Sequence, residues 1–235
     1  MASRARVDEY RSLNADLNEL ARRDLEAFWS RIDKTDIAAA RDALADFMAA
    51  LADTYGQSAA LIAAQFYDDL RVASPHATGR YRAVVGGSTD REAIAGTARW
   101  AVGALTEDGE GSVVDRASGA MQRIISQYGR DTIALNSSRD PSAGAWARVP
   151  SGATTCGFCL SLASRGPVYR SAETAGEGRH YHDRCDCVPT QIWDGDDLPD
   201  GYDPDALYAQ YLNAREAAGG NLQNIAAELD ANRPR

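Results

Sequence analysis

The sequence predicts a mainly α protein: a helical N-terminal domain, a small α+β module that carries every cysteine, and a short helical tail. Three observations predict it. Apolar residues recur at three- and four-residue spacing through the first 140 positions, the period of one helix face. The stretch 141–193 breaks that rhythm with short apolar runs and Gly and Pro punctuation, and it holds all four cysteines, Cys156, Cys159, Cys185 and Cys187. From 194 onward an acidic run leads into two short helical patterns. The predicted divisions are therefore 1–140, 141–193 and 194–235.

The elements follow in order. Between Val7 and Leu20, the residues Tyr10, Leu13, Leu17 and Leu20 form one stripe of an amphipathic helix. A second helix starts behind Asp36 as N-cap and carries Ile37, Leu44, Phe47, Met48 and Leu51 among many Ala. Tyr55-Gly56-Gln57-Ser58 reads as a break, with Gly56 as C-cap and Ser58 as the next N-cap. A third helix carries Leu61, Ile62, Phe66 and Leu70 and stops before Ser74-Pro75. Residues 74–88 form a connection. Helices near 89–105 and 112–136 follow, and Gly129 is a position that loosens the second. Short strands are predicted at Trp146–Val149, at Val168–Tyr169 and near Thr190–Trp193. A Pro-capped helix from Pro204 to Ala217 and a last one over 221–230 complete the chain.

Charge and composition narrow the function. The 235 residues carry a net charge of −9, and there is a single Lys, Lys34, among 24 Arg. A broad phosphate-neutralising face is disfavoured by that balance, which leaves room for no more than a local Arg patch. No run approaches the ~18 apolar residues that a membrane span needs. Met1-Ala-Ser-Arg-Ala-Arg leads straight into charged helical sequence with no apolar run, so folding in a cytoplasm is expected.

All four cysteines lie between positions 156 and 187. Disulfide frameworks spread their bridges to close loops, whereas a tight cluster in a chain without an export signal reads as metal ligation. The donors are Cys156-Gly-Phe-Cys159 and His180-Tyr-His182-Asp-Arg-Cys185-Asp-Cys187. Zinc takes four such ligands in a tetrahedron. Six donors compete for four places. Cys156, Cys159 and His182 are the expected ligands, the fourth is Cys185 or Cys187, and His180 is the bystander. Asp183 and Asp186 are placed to orient a ligand from behind. With thiolates available for nearly every place, the ion is expected to be a structural staple, since thiolates lower its Lewis acidity.

Other readings compete. Buried thiols or two disulfides would explain the cysteines without metal. Cys159 with His182 and Asp183 has the composition of a cysteine hydrolase, although such a nucleophile has no need of three further cysteines. A zinc-dependent nuclease would use His180 or His182 as general base. His76 reads as a surface residue, and Trp29, Trp100, Trp146 and Trp193 as core or interface anchors. The acidic run 194–205 reads as a solvated linker.

The stretch Trp146-Ala-Arg-Val-Pro-Ser-Gly-Ala-Thr-Thr-Cys-Gly-Phe-Cys, with Tyr181-His-Asp-Arg-Cys-Asp-Cys, resembles the MuF-like minor head proteins of tailed phages. The likeness is to versions carried by phages and prophages of actinobacteria. The shared pattern is a C-x-x-C pair closed by H-x-x-C-x-C, and it covers about 145–190. The resemblance implies a minor capsid protein, inside the head and near the portal, that assists head morphogenesis. It implies the portal protein or major capsid protein as partner, no small-molecule substrate and no catalysis. Nucleic acid would then be met only by proximity in the head. Some relatives of this type carry fused enzymatic domains, and the some 45 residues after the module are too few for one.

Overall fold

The computed structural model describes residues 3–107, 109–152, 155–170, 185 and 187–232. Four helices make the body: α1 (Arg4–Arg31), α2 (Ile37–Ala73), α3 (Arg91–Glu107) and α4 (Glu110–Arg139). Strand β1 (Ala145–Val149), helix α5 (Gly157–Ala163) and strand β2 (Val188–Ile192) follow. Helices α6 (Pro204–Ala217) and α7 (Leu222–Ala231) end the chain. The mainly α class is as the sequence predicts, with one two-stranded sheet among the described residues. No helix among those residues is long and apolar enough to cross a membrane.

Caps fix the helix starts. Asp36 accepts the Ala39 N–H at 3.0 Å, and Asp203 accepts the Ala206 N–H at 2.9 Å with Pro204 in the first turn of α6. The expected break at Gly56 is absent, and α2 runs through it unbroken. Ser58 sends its hydroxyl back to the Thr54 carbonyl, a bond made within a helix rather than at its start. Gly56 serves close approach instead. A Cβ built on it would lie 2.5 Å from Cε2 of Tyr128 on α4. Gly129 does the same on the neighbouring face, where a Cβ would meet the Tyr10 hydroxyl of α1 at 2.5 Å. It tightens the bundle rather than loosening α4.

The buried stripe of α1 also differs from the expected one. It runs Val7, Tyr10, Ala21, Leu25 and Trp29, while Leu13 and Leu20 are exposed. One apolar cluster, around Leu25, Trp29, Leu44, Met48, Ile94, Met121 and Ile125, holds one end of the bundle. A second joins Val7, Tyr10, Phe66, Tyr67 and Ile133 of the bundle to Trp146, Val149, Ile192, Trp193 and Tyr202. The sheet is thus seated on the end of the helices. Arg4 reinforces the seat by donating to the Pro150 carbonyl at 2.9 Å. Tyr10 stacks on Phe66 with ring centroids 4.5 Å apart. Of the four Trp, Trp100 is the one left half in solvent, under the guanidinium of Arg116.

The connection from α2 to α3 is pinned along α4. Asn136 accepts from the Val84 N–H at 2.9 Å and donates to its carbonyl at 2.8 Å, in the manner of a neighbouring strand. At the far end of α4, Asp140 is fully buried and takes Arg71 Nε at 2.8 Å. It also accepts from the Ser142 N–H and hydroxyl, each at 3.0 Å, and from the Tyr67 hydroxyl at 3.3 Å. Burial pushes that carboxyl up, but Arg71 and Ser142 outweigh it and hold Asp140 below the usual carboxylate range.

Candidate metal centre

β1 and β2 pair antiparallel, with Val149 opposite Val188. The strand predicted at Val168–Tyr169 shrinks to a single bridge, Tyr169 to Trp146. This pairing fixes where the cysteines fall. Cys185 and Cys187 lead directly into β2. They are two residues apart, and their sulfurs meet at 3.3 Å. Cys156 is the N-cap of α5, and its sulfur accepts the Cys159 N–H at 3.4 Å. The short helix then carries Cys159 inward.

Three thiols meet. Cys159 Sγ lies 3.3 Å from Cys185 Sγ, which lies 3.3 Å from Cys187 Sγ. All three sulfurs are within 4.8 Å of one another, and the three residues are 1–6% exposed. Cys156 is half-buried and borders the cluster. None is in a disulfide, for which sulfurs must approach to about 2.0 Å. A tetrahedral ion with Zn–S bonds near 2.3 Å sets its sulfurs about 3.8 Å apart. The two 3.3 Å contacts would each widen by about half an ångström to take one, so the donor type and spacing fit a thiophilic metal ion. The structure therefore brings both Cys185 and Cys187 to Cys159 rather than choosing between them. His180, His182, Asp183 and Asp186 lie outside the described residues.

The electrostatics centre on Cys185. Hydrogen bonds from Cys159 and Cys187, with the nearby charge of Arg130, draw its thiol downward. Its partner Cys159 is driven upward, chiefly by sharing its proton with Cys156 and Cys185. The three sulfurs thus share their protons as one group. A metal ion would replace those shared protons.

Two supports escaped the sequence reading. Arg130, 6% exposed on α4, donates Nη2 to the Cys185 carbonyl at 3.3 Å. Nothing local in the sequence marks it, because it sits 55 positions from its partner. On the other side, the Gly157 N–H donates to Asp230 Oδ1 of α7 at 2.6 Å. A Cβ on Gly157 would overlap the Ala226 carbonyl oxygen, so only glycine lets α5 lie on α7. The glycine inside C-G-F-C was the available signal for this contact.

Comparison with known proteins bears on the whole assembly. The Gene 15 protein of Mycobacterium phage D29 is 28% identical over a stretch taking in 39% of this chain and 45% of that protein. The chain thus spans less than half the length of the curated relative it matches. No solved structure matches. The model of the VG15 protein family matches residues 1–214, which take in the helical body, the thiol cluster and most of α6. The chain belongs to the VG15 protein family.

Proposed function

We propose that this chain is a structural component of a phage particle, a minor head protein docked at the portal vertex, with one zinc ion as an internal staple. The observation that carries the staple is the burial of Cys159, Cys185 and Cys187 as three thiols in mutual contact, none in a disulfide. Membership of a family with a mycobacteriophage relative supports the phage origin. The C-x-x-C and H-x-x-C-x-C resemblance supports the head and portal assignment, with the portal or major capsid protein as partner. Thiolate donors make zinc a weak Lewis acid, which suits a structural and not a hydrolytic role. The fourth ligand is Cys156, at the edge of the cluster, or His182.

Four measurements test this. Elemental analysis of the purified chain is expected to give about one zinc per molecule. The Cys159→Ser variant should lose that zinc and keep most of its helical circular dichroism. Mass spectrometry of gradient-purified particles should find the chain in a few copies each. The cobalt-substituted spectrum separates three sulfurs plus nitrogen from four sulfurs, and so His182 from Cys156. The reading fails if the chain stays in the lysate and never enters particles. It fails equally if His182→Ala abolishes a cleavage activity while fold and metal content are unchanged.

A further inference from the structure

We infer that Arg130 is the positioning residue of the metal centre: a buried guanidinium, sent in from α4, that balances the charge of the thiolate set and holds the Cys185–Cys187 segment in register. The inference rests on the proposal that the thiol cluster binds a metal ion.

The geometry comes first. Arg130, Cys185 and Cys187 line the same cavity, about 150 Å³ in volume, between α1, α4 and the start of β2. The Nη2 bond to the Cys185 carbonyl anchors the backbone at Cys185, whose sulfur touches that of Cys187. Gly129, one position earlier, lets α1 approach α4 closely enough to close this cavity on the side of Tyr10.

Charge comes second. A divalent ion with three thiolates and a neutral imidazole carries −1, and with four thiolates −2. Such a group, set among residues 1–6% exposed, needs an opposite charge nearby. Arg meets both demands at once. It stays protonated when buried, is more weakly hydrated than an ammonium, and its planar fork can serve a carbonyl while its charge faces the sulfurs. The chain's single Lys is spent elsewhere, over the Trp29 ring.

The test uses the full chain with Co²⁺ and Zn²⁺, competed against a chromophoric chelator, in wild type, Arg130→Gln and Arg130→Lys. Removal of a group that orients metal ligands costs about 10–100-fold in affinity, and Arg130→Gln is expected in that range. Arg130→Lys keeps the charge and loses the fork, so it should recover part of the loss and retain the cobalt–thiolate absorption band. Helical circular dichroism is recorded alongside. If Arg130→Gln does not fold, Arg130→Lys alone decides, and affinity equal to wild type overturns the inference. Equal losses in Gln and Lys overturn it too, since charge would then be irrelevant, as do two folded variants within two-fold of wild type. Absence of any cobalt–thiolate band in wild type overturns the metal reading, and the role of Arg130 with it.

Discussion

Replacing Gly56 by Ala sets two known effects against each other. Ala in a helix interior gains about 1 kcal/mol over Gly through lower unfolded-state entropy and better propensity. At position 56 the new methyl would stand 2.5 Å from Cε2 and 2.6 Å from Cδ2 of Tyr128, where carbon atoms pack at about 3.5–4.0 Å. The ring has no retreat. Gly87 presses on it from elsewhere, so closely that a Cβ there would lie 2.9 Å from Tyr128 Cδ1. The Tyr128 hydroxyl is hydrogen-bonded to Thr89, which is bonded in turn to Asp53. Overpacking of this kind costs about 1–3 kcal/mol. The control is Gly96→Ala on α3, where the nearest atom outside the local backbone is Arg99 Nη2 at an ordinary 3.6 Å. Both substitutions change the unfolded chain alike, so their difference reports packing alone. Gly56→Ala should fall about 1–3 kcal/mol below Gly96→Ala in urea unfolding followed by circular dichroism. At 2–4 °C per kcal/mol for a chain this size, that is a spread of about 2–12 °C in Tm. Tyr128→Leu in the Gly56→Ala background should recover part of the loss. Equal stability of the two single variants would refute the reasoning.

The Asp140→Asn variant should lose about 3 kcal/mol at pH 7, because Arg71 is left buried without its carboxylate. The Asp140 carboxyl is depressed in the folded state, so its contribution is present above the ordinary Asp value of about 3.9 and fades as pH falls through the lower folded value. The gap between wild type and variant should therefore narrow below about pH 4, and an unchanged gap at pH 3 would contradict the account. Gly157→Ala should push α7 off α5 at a cost of about 2–3 kcal/mol and quicken limited proteolysis near 218–221. An undisturbed digestion pattern would show that the contact does not hold the tail.

Sequence periodicity carried the helices well where caps and breakers agreed, as at Asp36, Pro204 and Ser74. It failed at Gly56 and Gly129 for one reason. A glycine inside a helix looks the same whether it ends the helix or admits a neighbour's ring, and only tertiary packing separates the two. The α1 stripe slipped for a related reason. Ala21 and Trp29 are buried while Leu13 and Leu20 face solvent, so the side facing α2 and α4 was not the side with the most leucines. The cysteines were legible because spacing alone predicts clustering, and Cys159, Cys185 and Cys187 do cluster. Arg130 and Asp230 were not, since each reaches the cluster from an element distant in the chain.

The seat of the sheet on the bundle has a consequence for synthesis on the ribosome. Val7 and Tyr10 leave the exit tunnel well before Val188, Ile192 and Trp193, which share their cluster and are made some 180 residues later. At 5–20 residues per second that interval is about 10–40 s. Phe66 arrives sooner and can stack on Tyr10 in the meantime, so the nascent helices have a provisional partner. The start of α1 is then the part of the chain that waits longest for its final neighbours, and the part a nascent-chain chaperone would find exposed.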